Sequence, residues 1–412
     1  MSGGAQDQRP VVTGLGVVAP NGVGVKEFWA ATLDGRSGID WIRRFDASGY
    51  PVRIGGEVLD FVPKEHIPSR LLPQTDRMTQ HALTAAGWAL QDAGADPATL
   101  DEYEMGVVTA SSAGGFEFGQ RELQKLWGQG AEFVSAYQSF AWFYAVNTGQ
   151  ISIRHGMRGH SSVLVTEQAG GLDAVAHGRR LLRRGAVRFM VTGGFDASLC
   201  PWGLVAQIPH THLSRRDDPE RGYLPFDADA CGYVAGEGGA ILILEDRHAA
   251  RRRGAGQEYG EVAGYAATFD PPPGSVRGPA LARAIRGALD DAGMNPGEID
   301  VVFADASGVP ELDAVEAAAI AEVFGPRSVP VTAPKTMTGR LYSGGAALDA
   351  ATALLAMRDG VIPATTGTTN VASGYDIDLV IGQARETPVR AALVVARGCG
   401  GFNSALVLRH TD

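Results

Sequence analysis

The chain has 412 residues, of which 45% are hydrophobic and 20% are charged, and this composition is typical of a folded globular protein rather than a disordered one. Its 36 Lys and Arg residues are outnumbered by 46 Asp and Glu residues, which gives a net charge of -10. Because such a surface repels phosphate groups, partners such as nucleic acid or an anionic membrane are not expected.

The amino terminus and the cysteines indicate a cytoplasmic protein. Residues 1–10 lack the basic and apolar stretches of a secretory signal, and no apolar run reaches membrane-spanning length. Cys200, Cys231 and Cys399 are far apart and form no disulfide or metal-binding pattern. Each is expected to be a small buried residue. We therefore expect a reducing compartment, and neither a metal ion nor a cofactor.

The clearest organisational pattern is an internal repeat of helix and strand segments. Four pairs of similar segments recur in the same order: WALQDAG (88–94) with GALDDAG (287–293), MGVVTAS (105–111) with DVVFADAS (300–307), VLVTEQAGG (163–171) with VPVTAPKTM (329–337), and RFMVTGGFD (188–196) with ALVVARGCGG (392–401). This order indicates duplication of an α/β unit. We predict two similar halves, residues 1–254 and residues 255–412.

A helix is predicted over residues 116–127, with sequence FEFGQRELQKLW. Phe116, Gly119 and Leu123 recur at i, i+3 and i+7, so they share one face over an axial rise of about 10 Å. Glycine inside a helix costs about 1 kcal/mol relative to alanine, so Gly119 should have a packing reason. An ordinary core stripe would show the same spacing, apart from this glycine.

Segment SSVLVTEQAGGLDAVAHGRRLLRRG is predicted to form a strand, a sharp turn and a helix, with Gln168 at the turn. The positive end of a helix dipole lowers the pKa of a thiol at such a position, and backbone N–H groups there bind an oxyanion. Glutamine has no ionisable group and is a negligible nucleophile. In duplicated α/β halves the equivalent loops converge, so Asp305, residues 335–340 and Cys399 are candidates for the same site.

At this elbow the sequence resembles the β-ketoacyl synthases, whose elbow carries a cysteine. The resemblance extends to VVTGLGVVAPNG near the start, LPFDADACGYVAGEGGAILILED in the middle and the glycine-rich turn at residues 398–403. It implies a thiolase-like α/β fold, a five-layered αβαβα arrangement of two duplicated halves.

The resemblance also implies that the catalytic residues are lost together. Asp305 and Arg340 match the positions of the family's two active-site histidines, Lys335 keeps the family's lysine, and Cys399 replaces a gating phenylalanine. Lys335 is expected to form an ion pair with Glu316 that braces the loop, and Cys399 is expected to fill a small gap. No active-site set is therefore intact.

This joint loss resembles the chain length factors of type II aromatic polyketide synthases. The resemblance implies a heterodimer with an active ketosynthase α subunit, and an acyl carrier protein that carries malonyl groups and the polyketide chain. It implies a tunnel wall at Phe116, Gly119 and Leu123, and a roomy tunnel for a decaketide or longer chain. It also implies that the edge strand at residues 162–166 pairs across the twofold axis. The implied interface residues, for which an ordinary aromatic core is the alternative, are Phe140, Trp142, Phe143 and Tyr144.

A malonyl-carrier decarboxylase that uses Gln168 is the alternative enzymatic hypothesis. Related decarboxylases keep both histidines to stabilise the enolate, whereas one position here is Asp305. A carboxylate ~4 Å from the enolate would repel it by roughly 4 kcal/mol at an effective dielectric constant of 20, or about a thousandfold in rate. Arg340 would offset part of this repulsion and leaves weak activity open. A nucleophile at Thr166 or Glu167 would lack a base.

Overall fold

The computed structural model describes residues 9–210, 212–272 and 274–411, so the prediction for residues 1–10 lies largely outside the described part. The helices are α1 Val25–Leu33, α2 Arg77–Asp92, α3 Phe116–Gly128, α4 Gln138–Ala141, α5 Val146–His155, α6 Gly170–Arg183, α7 Pro201–Gln207, α8 Arg247–Arg253, α9 Leu281–Ala292, α10 Pro310–Phe324 and α11 Ser343–Asp359. The strands are β1 Pro10–Ala19, β2 Gly22–Val23, β3 Ile39–Trp41, β4 Ile54–Gly56, β5 Met105–Ala110, β6 Ser161–Leu164, β7 Phe189–Asp196, β8 Gly238–Asp246, β9 Gly260–Phe269, β10 Val301–Phe303, β11 Pro330–Thr332, β12 Val361–Ile362, β13 Asp378–Leu379, β14 Arg385–Glu386, β15 Ala391–Gly398 and β16 Phe402–Arg409.

The main sheet has a mirrored strand order. From one edge it runs β6-β5-β7-β8-β1, and then β9-β16-β15-β10-β11-β13. Each half has parallel strands at its outer edge and antiparallel strands towards the centre, where β1 pairs with β9. Reading outwards from this central pair, the two halves repeat one order of strands.

The repeated sequence segments occupy equivalent places in the two halves. The first pair ends helices α2 and α9, and each is followed by a glycine in the left-handed region, Gly94 with φ 59° and Gly293 with φ 64°. The remaining pairs form β5 and β10, β6 and β11, and β7 and β15. The predicted duplication is confirmed. The division of the chain at residue 254 stays a prediction, although α8 ends at Arg253 and β9 begins at Gly260.

Helices cover the outer faces of both half-sheets and also fill the space between their inner faces. Helix α2 packs on β1 and β8 outside the first half, and α9 packs on β9 and β16 outside the second. Helices α6 and α11 pack against each other and against strands of both halves. The result is the predicted five-layered arrangement. A helix in the central layer has no solvent face, which explains why 15 of the 17 residues of α11 are buried and why it is rich in alanine.

Close approach of backbones sets the spacing of the layers. A Cβ built on Gly171 of α6 would lie 2.5 Å from the backbone nitrogen of Ala347 in α11. A Cβ on Gly16 of β1 would clash with the carbonyl group of Ala85 in α2.

Among the described helices, none is long and apolar enough to cross a membrane.

The contact between β1 and α2 gives a stability test. Gly16→Ala should lower the free energy of unfolding by about 1–3 kcal/mol, because the helix backbone cannot yield to an added methyl group. Gly87→Ala in α2 is the matched control. A Cβ there meets nothing within 4 Å, so this substitution should raise the unfolding free energy by up to about 1 kcal/mol. Urea denaturation of both variants checks the prediction, which fails if the Gly16 variant is as stable as the parent protein.

Candidate functional site

The elbow that follows β6 is a strained turn. A 3₁₀ turn at Glu167–Ala169 joins the strand to α6, and Glu167 has φ 52°, which non-glycine residues rarely adopt. Side-chain hydrogen bonds hold it on both sides. Thr166 Oγ1 donates to Asp173 Oδ2 at 2.5 Å, and Ser343 Oγ at the start of α11 donates to the Glu167 carbonyl at 2.9 Å.

Gln168 is fully buried behind this turn, with 0% of its surface exposed. Its carboxamide lies against the backbone of Gly345, and neither its Oε1 nor its Nε2 makes a hydrogen bond within the described part of the chain. A buried amide without partners is energetically costly and is no nucleophile. The nucleophile position is therefore occupied by a side chain that packs into the protein.

A pocket of about 250 Å³ lies in front of the elbow. Among the candidates from the sequence it brings together Asp305, Arg340 and Cys399, whereas Gln168 and Lys335 are not among the described residues that line it. Glu167 of the elbow also lines the pocket, and residues that the sequence did not single out contribute much of the wall: His210, His212, Tyr233, Tyr342 and Arg397. Most of them lie in loops without a recognisable motif, although Arg397 directly precedes the glycine-rich turn and was detectable there.

Asp305 and Arg340, at the positions where the resemblance implies two histidines, form a buried ion pair. Arg340 Nη1 donates to Asp305 Oδ2 at 2.9 Å, and Nη2 donates to Asp305 Oδ1 at 3.3 Å. Arg340 also donates to the carbonyl groups of Asp305 at 3.1 Å and Arg397 at 3.0 Å, and lies over the ring of Tyr233. The four hydrogen bonds from its two terminal nitrogens are thus made within the protein.

The ion pair determines the charge state of Asp305. Burial alone would raise the pKa of this carboxyl, but the nearby charges of Arg340 and Lys335 outweigh burial and hold the pKa below its ordinary value. The carboxylate is therefore ionised at neutral pH and is compensated by Arg340. Because the N–H groups on its two terminal nitrogens point at Asp305 and at carbonyl groups, they are not directed at a substrate in the pocket. This arrangement does not favour decarboxylation.

The predicted ion pair between Lys335 and Glu316 is wrong. Lys335 Nζ instead lies 2.7 Å from Asp349 Oδ2 of α11 and donates to the carbonyl of Ala304 at 2.5 Å. Glu316 faces the backbone of the loop and accepts the N–H groups of Asp305 at 2.7 Å and Ala306 at 2.8 Å. The loop is braced as predicted, but by backbone hydrogen bonds to Glu316, because α11 brings a different carboxylate within reach of the lysine.

The expectation that the cysteines are buried holds for Cys200 and is wrong for the other two. Cys231 and Cys399 are exposed in this chain. Cys399 lines the pocket and its backbone N–H donates to Glu167 Oε2 at 2.9 Å, so it does not fill a buried gap. The glycine-rich turn folds back on the elbow and thereby places Cys399 at the surface.

The predicted helix at residues 116–127 is present as α3, and its central glycine has a neighbour. A Cβ on Gly119 would lie 3.1 Å from the Trp202 ring and 3.6 Å from Trp142 Cβ. The Phe116 ring also packs on Trp202, with ring centroids 4.6 Å apart. Leu123 is partly buried on the next turn. Gly119 is thus packed against two tryptophan side chains, and an added Cβ would require the Trp202 ring to shift.

The aromatic segment that follows α3 lies largely at the surface. Trp142 is 46% exposed, Phe143 39% and Tyr144 37%, while Phe140 is partly buried. Strand β6, which covers part of the predicted edge strand, is at the edge of the main sheet. The chain alone therefore exposes large aromatic rings and an unpaired strand edge.

The site combines an elbow that carries a buried glutamine with a duplicated five-layered fold. The profile of the β-ketoacyl synthase N-terminal domain matches residues 8–250, and that of the C-terminal domain matches residues 259–369. The chain belongs to the β-ketoacyl synthase family, and the predicted fold class is confirmed.

Known proteins resemble the chain over its whole length. It is 68% identical to the tetracenomycin polyketide synthase ketoacyl synthase beta subunit of Streptomyces glaucescens, over 97% of this chain and 98% of that protein. The structure of the ishigamide ketosynthase/chain length factor matches with a TM-score of 0.90 and 31% identity, covering 98% of this chain and all of that chain. A type II polyketide synthase acyl-carrier protein in complex with its ketosynthase bound to the hexaketide matches with a TM-score of 0.89 and 28% identity, over 98% of this chain and 100% of that chain. The resemblance to chain length factors is confirmed.

The buried ion pair between Asp305 and Arg340 can be tested by its contribution to the stability of the protein. Asp305→Asn should lower the free energy of unfolding by about 3–5 kcal/mol, because Arg340 is left as an uncompensated buried charge. Asp305→Asn combined with Arg340→Met should be more stable than the single variant. Urea denaturation of the purified protein measures both, with Arg286→Gln, at the exposed ion pair with Glu322, as a control of little effect. If the Asp305→Asn variant is as stable as the parent protein, Asp305 does not compensate the buried charge of Arg340.

Proposed function

We propose that this chain is the non-catalytic chain length factor of a polyketide synthase, and that it forms a heterodimer with an active ketosynthase. The observation that carries the proposal is the buried Asp305–Arg340 ion pair beside the buried Gln168. The three positions that would carry a nucleophile and two histidines now serve packing and charge compensation. The chain by itself is then inactive, and it acts as a subunit of a β-ketoacyl synthase, an acyltransferase.

The exposed aromatic segment and the edge strand support an obligate partner. Interface cores are enriched in Trp, Tyr and Phe, and an unpaired strand edge readily pairs with another chain. Phe140, Trp142, Phe143 and Tyr144 are the proposed interface residues. An acyl carrier protein that delivers malonyl groups and holds the growing polyketide is the second proposed partner, and the cytoplasm is the proposed location.

Helix α3 is proposed to form a wall of the product tunnel at this interface. Gly115 at the start of α3 donates to the Trp142 carbonyl at 2.9 Å, so the helix and the aromatic segment form one unit. Phe116, Gly119 and Leu123 line the wall over about 10 Å of helix axis, which is enough for several two-carbon units. A decaketide or a longer chain is the proposed product, because the central position of the wall carries no side chain.

Association with a ketosynthase tests the proposed heterodimer. Co-expressed with an active ketosynthase, the chain should co-purify as one species, and Phe143→Asp should weaken the complex by at least about 2 kcal/mol, because a charge replaces a buried aromatic anchor. Val276→Asp, at an exposed position outside the proposed interface, is the control and should leave the complex intact. Separate migration of the two subunits on size exclusion, with the parent sequence, would refute the heterodimer.

Product length tests the tunnel wall. In the reconstituted heterodimer Gly119→Phe should shorten the polyketide, because the phenyl ring must displace the Trp202 ring and together they narrow the proposed tunnel. Gly128→Phe on the same helix is the matched control, since a Cβ there meets nothing within 4 Å and the position lies off the proposed tunnel face. Mass spectrometry of the products, with size exclusion to verify the heterodimer, provides the measurement. If product lengths are unchanged in an intact heterodimer, Gly119 has no measuring role.

A further inference from the structure

Helix α3 takes its position from residues outside itself. The residue before the helix is Gly115, which provides no side-chain cap. The N–H of Phe118 is instead accepted at 2.8 Å by Asp76 Oδ2, while Asp76 Oδ1 accepts the N–H of Met78 at 2.8 Å at the start of α2. The fully buried carboxylate of Asp76 thus caps both α2 and α3, and it fixes the axial position of α3 relative to α2.

A second anchor holds the side of α3. Glu117 in its first turn forms an ion pair with Arg44, whose side chain is 19% exposed. The other terminal nitrogen of Arg44 donates to Glu237 Oε2 at 2.6 Å. Glu237 is fully buried immediately before β8 and also pairs with Arg77 of α2 at 2.9 Å. Arg44 therefore links α3 to the sheet through two carboxylates.

The position of Glu117 on the helix gives this link a mechanical effect. Glu117 is one residue beyond Phe116, so its side chain leaves the axis about 100° away from that of Phe116. A tether at the flank resists rotation of the helix about its own axis, which the cap at Phe118 alone does not. With a helix radius of about 5–6 Å, a rotation of about 20° would move the proposed wall by about 2 Å. That displacement is comparable to the length added by one extension step.

We infer that Glu117 and Arg44 are positioning residues for chain-length selection, which act by fixing the rotation of α3. The inference rests on the proposed function of α3 as a tunnel wall. Neither residue is among the wall residues Phe116, Gly119 and Leu123, so their effect on product length is indirect. A purely structural ion pair would change the yield or the stability of the heterodimer and leave the distribution of product lengths unchanged.

The test uses the heterodimer reconstituted with its ketosynthase, an acyl carrier protein and malonyl donor. Glu117→Gln keeps the shape of the side chain and removes its charge, and Arg44→Gln removes the partner charge while leaving Glu117 at the helix start. Each should raise the ratio of off-length to main product by about threefold, the scale of one partly exposed ion pair. Because Arg44→Gln already breaks the pair with Glu117 as well as the pair with Glu237, the double variant should be no worse than the Arg44 single variant. Glu132→Gln, an exposed carboxylate beyond α3, is the charge-matched control and should leave the ratio unchanged.

Gly119→Phe serves as the reference for a direct change of the wall. If it alters product length while the Glu117 and Arg44 variants leave the ratio unchanged, the positioning role is overturned and the proposed function stands. If none of the three variants alters product length in an intact heterodimer, the tunnel function itself is refuted. Should one of the two single variants fail to assemble, the other decides the matter, because either alone removes the ion pair.

Discussion

The close packing of α6 against α11 is the constraint on which the rest of the structure depends. The two helices fill the layer between the half-sheets, and glycine in one lies against the backbone of the other, as Gly171 does against Ala347. Because α6 follows the elbow and α11 begins with Ser343, this contact also brings the two halves of the site together. Ser343 holds the Glu167 carbonyl directly. The fold would thus preserve the geometry of a condensing site whether or not the site is catalytic.

The proposed loss of the catalytic centre is compatible with retention of the fold. At the positions of Asp305 and Arg340 a carboxylate and a guanidinium compensate each other. A buried charge needs a partner, so Asp305 and Arg340 are stable as a pair and costly apart. Their mutual hydrogen bonds engage N–H groups of Arg340 that would otherwise be available to an anion. The same loop is held by Glu316 and Asp313 through backbone N–H groups, independently of any catalytic role.

The proposed function depends on the surface where α3 and the aromatic segment meet, rather than on the pocket. The contact of Gly115 with Trp142 makes these two elements one unit, and the Arg44 network connects that unit to the interior through Glu237. The wall residues would determine the volume available to the polyketide. The ion pairs of Arg44 would determine the position of the wall. The aromatic rings that are exposed on the isolated chain would then be covered by the ketosynthase subunit.

The sequence by itself determined the duplication, the elbow and the absence of a nucleophile, because repeated segments and residue types are local properties of the chain. It also located α3 correctly, since the spacing of its apolar residues is set by helix geometry. Only the tertiary structure decided which carboxylate pairs with Lys335, that Cys399 and Cys231 are exposed, and that Trp202 lies beside Gly119. These contacts join residues far apart in the chain, and they depend on how α11, α7 and the glycine-rich turn pack, which no local pattern encodes.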